Sequence, residues 1–258
     1  MKVGVFQFSS GSDIDANFAA ISRGIKQAAR ENVRLLVFHE CAACGYPPVE
    51  TPDINQIDIT ALENRLDLVC QLAQENHLYI ALGMIRQEDS RRYNSIRLIS
   101  PEGTIIGNYD KRALWGWDLD HFERGTALGI FDIDDIKVGF RICFEVRFPE
   151  YFRELFEAQA ELCFVSFCDV SAQDSPERYQ IIKSHLLTRA VENVMTVVSI
   201  NSISDFQTAP TAVFDVNGHV IREAPRNKEH LLVYDYLRPD IGFGEKGRIE
   251  NSFIAMRS

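Results

Sequence analysis

The apolar positions of this chain fall into short continuous runs, separated by stretches in which they recur at helical spacing. Residues 3–8 form a run of the first kind and predict a buried strand. Between about residues 17 and 31, Phe18, Ile21, Ile25 and Ala29 fall on one face of a helix, and Asp13 or Asp15 can cap its start. Leu35–Phe38 is a second short strand. It runs into His39-Glu40 and the loop CAACGYPP, whose Gly and Pro residues stop regular structure. A second amphipathic helix covers Ile59–Asn76, with Leu62, Leu66, Val69, Cys70 and Leu72 inward. Residues 79–85 read as a third strand, and residues 93–98 and 104–109 flank Pro101-Glu102-Gly103, a hairpin signal. Further strands are expected at Ile130–Ile133, 137–143, Leu162–Phe167, 194–200, 211–214, 219–221 and 231–236, with helices at 148–158 and 177–193. This alternation describes a layered α/β fold. The pattern runs on without linker or repeat, so one domain over residues 1–258 is expected. Periodicity weakens over residues 238–258, which read as an irregular tail or an arm against a partner subunit.

Charge narrows the partners. The net charge is -10, from 27 basic and 37 acidic residues, which excludes the basic face that a nucleic-acid backbone needs. No apolar run approaches the ~20 residues of a membrane span. The opening MKVGVFQFSS lacks the apolar core of a secretion signal. Six cysteines without such a signal fit reduced thiols in the cytoplasm.

Three residues carry candidate chemistry. Cys143 ends the apolar strand VGFRIC and precedes an expected helix start. Backbone N–H groups and the helix dipole at such a junction stabilise a thiolate, so its pKa is expected to fall. The ordinary alternative is a small buried hydrophobe. Glu40 closes its strand and can act as a base toward a thiol; otherwise it is a solvated loop glutamate. Lys111 ends another strand, before Trp115-Gly116-Trp117, and can supply positive charge to an oxyanion. Otherwise it is a surface lysine paired with Asp110. Each ends a strand of one α/β layer, where ligands bind beyond the carboxyl ends of strands, so nucleophile, base and cation can converge.

HECAACGYPP around Glu40, NYDKRALW around Lys111 and GFRICFEVRFPE around Cys143 resemble, in order and approximate spacing, the three signature blocks of the nitrilase superfamily, the carbon–nitrogen hydrolases. The resemblance extends to TRAVENV, with Arg189, Glu192 and Asn193, and to VFDVNGHVI. It implies a four-layer α-β-β-α sandwich whose subunits commonly pair through helices, hence a homodimer. It implies Glu40 as general base, Cys143 as nucleophile, and Lys111 with the Phe144 N–H holding the oxyanion. It further implies a thioester intermediate and no metal or organic cofactor. The implied substrate is a small amide, either an ω-amide or an N-carbamoyl amine. A nitrile hydrolase and a catalytically altered binding or regulatory module are the alternatives.

The chain departs from the family's pattern at several points. His39 stands where Pro is usual, Ala113 where His is common, and Glu145 where Asp is usual. The family's second glutamate is matched by Asp118 or Asp120, and spacing to Phe122 and Gly125 favours Asp118, whose shorter side chain should weaken or lengthen its contact to Lys111. Trp115 and Cys168 are candidate pocket residues; Trp117, Phe122 and Phe144 could line the pocket or simply anchor loops. Cys41 and Cys44 make a C-x2-C pair, but Cys163 and Cys168 sit in and at the end of one strand, poorly placed to complete a zinc site.

Overall fold

The computed structural model describes residues 1–257. Its first half contains β1 (Lys2–Gln7), α1 (Ile14–Arg30), β2 (Leu35–Phe38), α2 (Ile59–Asn76), β3 (Tyr79–Glu88), β4 (Arg91–Ile99) and β5 (Ile105–Asp110). A four-residue helix, α3 (Asp118–His121), leads to β6 (Ile130–Ile133), β7 (Ile136–Ile142), α4 (Pro149–Glu157), β8 (Leu162–Phe167), β9 (Val170–Ser171) and α5 (Pro176–Asn193). The chain continues through β10 (Thr196–Asn201), β11 (Phe206–Gln207), β12 (Ala212–Phe214), β13 (Val220–Glu223), β14 (His230–Asp235) and α6 (Phe243–Arg257).

Two six-stranded sheets organise the chain, in the orders β14-β1-β2-β3-β4-β5 and β13-β12-β10-β8-β7-β6. Within each, the central strands run parallel: β1, β2 and β3 in the first, and β7, β8 and β10 in the second. These strands are apolar on both faces, as strands covered on both sides must be. Val3, Val5, Leu35 and Val37 from the first sheet pack with Val138, Phe140, Ile142, Leu162 and Phe164 from the second, forming a core between the sheets. The alternate positions Phe6, Leu36 and Phe38 face Phe18, Ile21, Ile25, Leu62 and Leu66 of α1 and α2. Cys163, Val165 and Val197 face Phe152, Leu155, Ile182 and Leu186 of α4 and α5. The layers therefore run α-β-β-α, the expected sandwich. Ser166 on β8 donates across the sheets to the Phe38 carbonyl of β2 (3.1 Å), tying the layers near one end of the strands.

Three elements differ from expectation. The β3–β4 ladder extends to Glu88 and Arg91, beyond the apolar stretch. There Arg86 holds the sheet by pairing with Asp110 and stacking on Tyr93, so charge replaces the hydrophobic signal. The strand expected from residue 194 begins at Thr196, because Val194 adopts a left-handed conformation (φ 46°) and caps α5. The segment read as an irregular tail is mostly helix: α6 covers Phe243–Arg257 and docks through Phe253 on Phe156 of α4, ring centroids 4.9 Å apart. Phe243 (97% exposed) and Ile254 (65%) project outward, which scrambled its periodicity. No described helix is long and apolar enough to cross a membrane.

Candidate active site

Glu40, Lys111 and Cys143 lie at one end of the sandwich, each just past a strand end. Glu40 follows β2. Directly after it Cys41 takes φ 51°, and a tight turn with Gly45 N–H on the Cys41 carbonyl (2.8 Å) directs the chain away. The turn lies flat on β3 because residue 83 is glycine: a Cβ there would sit 2.0 Å from the His39 carbonyl oxygen. His39 is fully buried, and burial pushes its pKa down to about 4, so it is neutral at pH 7.

Glu40 is itself buried, and three donors hold it. Its Oε1 accepts from the Lys111 Nζ (2.8 Å) and from Asn94 Nδ2 on β4 (2.7 Å). Its Oε2 accepts from the Cys168 N–H, at the end of β8 in the other sheet (2.9 Å). The alternative of a solvated loop glutamate is thereby excluded.

Lys111 follows β5, with its N–H on the Asn94 carbonyl (2.8 Å) and its own carbonyl accepting from Gly125 N–H (3.0 Å). Gly125 fits there because it lacks a Cβ, which would meet the Asp110 carbonyl oxygen at 2.0 Å. The ammonium is buried and lies 2.8 Å from both Glu40 and Asp118. Burial works to lower its pKa, but Glu40, Cys143 and Asp118 prevail and hold it well above the ordinary lysine value. It is a permanent cation, and it does not pair with Asp110, which binds Arg86.

Asp118, favoured over Asp120 by spacing, is the carboxylate that reaches Lys111. The contact is not lengthened by the shorter side chain, because α3 carries Asp118 inward while Tyr46 Oη donates to its other oxygen (2.6 Å). The Tyr46 ring in turn lies 5.5 Å from the Lys111 Nζ. Tyr46 is seated by its N–H on Glu50 (3.0 Å), a half-buried carboxylate that also accepts from Ser10 and Ser202.

Cys143 directly follows β7 with φ 47°, a left-handed conformation that stores on the order of 1–3 kcal/mol in a non-glycine residue. A 3-10 turn, Cys143–Arg147, follows, and α4 begins only at Pro149. The expected depression of the Cys143 pKa is therefore not found. Burial and the adjacent Glu40 carboxylate push it well above the ordinary thiol value, against the opposing pull of Lys111. The helix N-terminus invoked for the opposite shift lies too far along the chain. The resting group is a thiol beside a carboxylate.

One carboxylate joins the segments bearing Lys111 and Cys143. Buried Glu145 accepts from the N–H groups of Arg112 (2.6 Å) and Ala113 (3.3 Å), which follow Lys111, and from Ile142 N–H (2.6 Å), which precedes Cys143. Tyr109 Oη also donates to it (2.8 Å). Arg189 of α5 braces the same turn through the Val146 carbonyl (3.0 Å).

Of the pocket candidates, Cys168 stands against Glu40 through its N–H. Trp115 does not join the cluster: it is 71% exposed, because the loop is pinned at Arg112 and Ala113 and turns outward at Gly116 (φ 57°). Trp117 stacks on His121 (3.8 Å) and meets Phe122 edge-on, anchoring α3. Phe144 packs edge-on against Phe148 (5.2 Å). Asn94, Tyr46 and Glu50 were not singled out from sequence.

With this geometry in place, the kinship is plain: the chain belongs to the carbon-nitrogen hydrolase family, whose pattern matches residues 2–243. It is 26% identical to the 2-oxoglutaramate amidase of Bacillus subtilis, over 88% of this chain and 96% of that protein. It is also 26% identical to an (R)-stereoselective amidase of a Pseudomonas species, over 92% and 90% of the two chains. A glutamate-to-leucine mutant of the amidase from Nesterenkonia sp. AN1, with the acetamide moiety of fluoroacetamide joined to its active-site cysteine, shares the fold at a TM-score of 0.85 and 17% identity, covering 100% of this chain and 95% of that one.

Proposed function

We propose that this chain hydrolyses the carbon–nitrogen bond of a small amide through a thioester on Cys143. The observation that carries this reading is the convergence, from three strand ends, of the half-buried Cys143 thiol with a buried carboxylate and a buried ammonium. As Sγ attacks the amide carbon, the thiol proton passes to Glu40, so no free thiolate has to exist beforehand. Lys111 and the Phe144 N–H stabilise the oxyanion. Glu40 then returns the proton to the leaving nitrogen as the carbon–nitrogen bond breaks, and ammonia or an amine departs. Water, deprotonated by Glu40, attacks the thioester; the acid leaves and the thiol is restored. Asp118 and Tyr46 act on the reaction indirectly, by keeping the ammonium aimed. The substrate is an ω-amide or an N-carbamoyl amine, and the relative that acts on 2-oxoglutaramate supports the first. Six free thiols fit a reducing cytoplasm.

Ammonia release from a panel of small amides, carbamoyl amines and nitriles tests the proposal. Release from amides is expected, and Glu40→Gln should lower kcat at least about 10²-fold, the scale of a lost general base. A panel in which only nitriles react, or a Glu40→Gln enzyme with native turnover, would contradict it.

We also propose that the chain pairs as a homodimer, on family resemblance and on the outward apolar residues Ile181 of α5 and Ile254 of α6. Light scattering at micromolar concentration should give twice the mass of the 29.4 kDa chain; a monomer rejects the pairing.

A further inference from the structure

We propose that Arg178 selects amides that carry a carboxylate at the end remote from the scissile bond. This deepens the amidase reading and rests on it. Glu40 Oε2 is bound by the Cys168 N–H, and the next residue, Asp169, is held by its own N–H on Asn201 Oδ1 (2.9 Å). Asp169 is thus anchored one residue from the site, just past the end of β8, the strand beside β7, which Cys143 follows. Its carboxylate is almost completely covered, with 8% of the side chain exposed, and it accepts from the Thr208 hydroxyl. Both its oxygens also receive Arg178, from the first turn of α5: Nε to Oδ1 and Nη2 to Oδ2, each 2.9 Å.

This two-point contact fixes the plane of the guanidinium and, among the described residues, gives Nη1 no hydrogen-bond partner. Half of the Arg178 side chain is exposed. Asp169 directly follows Cys168, whose N–H holds Glu40, and β8 pairs with β7, the strand that Cys143 follows, so the pair stands beside the nucleophile's strand end. A chain of net charge -10 repels anions at long range, so an anionic substrate needs a local, preoriented donor. The free Nη1 edge is such a donor. A remote carboxylate bound there would leave the amide carbon facing Cys143. An uncharged chain of the same length gains nothing from the contact.

The test compares kcat/KM for the monoamides of malonic, succinic, glutaric and adipic acid with that for their methyl esters, which keep the chain and lose the charge. For the best chain length, the native enzyme should prefer the acid by about 30-fold, the scale of one charge-assisted hydrogen bond. In Asp169→Asn/Arg178→Met, which removes both charges of the pair together, the acid-to-ester ratio should fall to about 1. Arg178→Lys should hold an intermediate ratio. A merely structural pair would lower both substrates together and leave the ratio unchanged, which overturns the proposal. Native turnover with no preference for acids overturns it too, while the amidase reading stands. Absence of turnover on every acid and ester defeats both.

Discussion

Cys143→Ala is expected to lower ammonia release by at least about 10⁴-fold, the scale of removing a covalent nucleophile, and to leave the protein folded. Only one sulfur atom is lost, from a residue that is neither central to a core nor a donor on which other groups depend. The left-handed backbone at this position is supported by the Ile142 and Val146 contacts around it rather than by the thiol. The thermal midpoint should therefore move by only a few degrees. Mass spectrometry adds a second readout: an alkylating amide should attach one label at residue 143 in the native chain and none there in the variant. Comparable turnover by the variant would remove Cys143 from the mechanism.

Lys111→Met should be damaging in both respects. The ammonium is the cation between two buried carboxylates, each 2.8 Å away. Replacing it with an uncharged side chain of similar length leaves both charges without a counter-ion, and a broken buried pair is worth about 3–5 kcal/mol. Turnover should fall at least about 10³-fold, since a principal oxyanion donor is lost with it. Urea denaturation checks the stability loss. Adding Asp118→Asn should recover part of the stability, because one stranded charge goes, but none of the activity. If Lys111→Met unfolds at the native urea concentration, the charge cluster contributes nothing net.

Much of this architecture was legible as spacing. The parallel strands stand out because they are covered on both faces and so appear as unbroken apolar runs; α1 and α2 stand out because each buries a single stripe. Glu40, Lys111 and Cys143 were visible because each terminates such a run and its surroundings match one block of a family pattern. Asp118 was reachable by its distance to Phe122 and Gly125. What was not legible is what depends on tertiary closure. Asn94 sits in the middle of a strand where its side chain looks like any polar residue, and only the bend after β2 brings Glu40 over it. Tyr46 and Glu50 belong to a loop with no periodicity, whose course is set by Gly83 and Gly45. Trp115 was misplaced for a related reason: an aromatic beside a catalytic lysine suggests a pocket, but the bonds from Glu145 turn that loop outward. The Cys143 pKa runs against expectation because Cys143 opens a 3-10 turn that ends at Arg147, before α4 begins at Pro149.

Glu40 belongs to the first sheet, yet one of its two oxygens is satisfied only by a backbone N–H of the second. Neither half of the sandwich can preassemble the site. A chain in which each sheet had formed but the two had not met would hold every functional residue and have an uncovered carboxylate and a solvated thiol. Competence for chemistry is thus acquired at the docking of the sheets, and catalytic activity during renaturation acts as a clock for that single event.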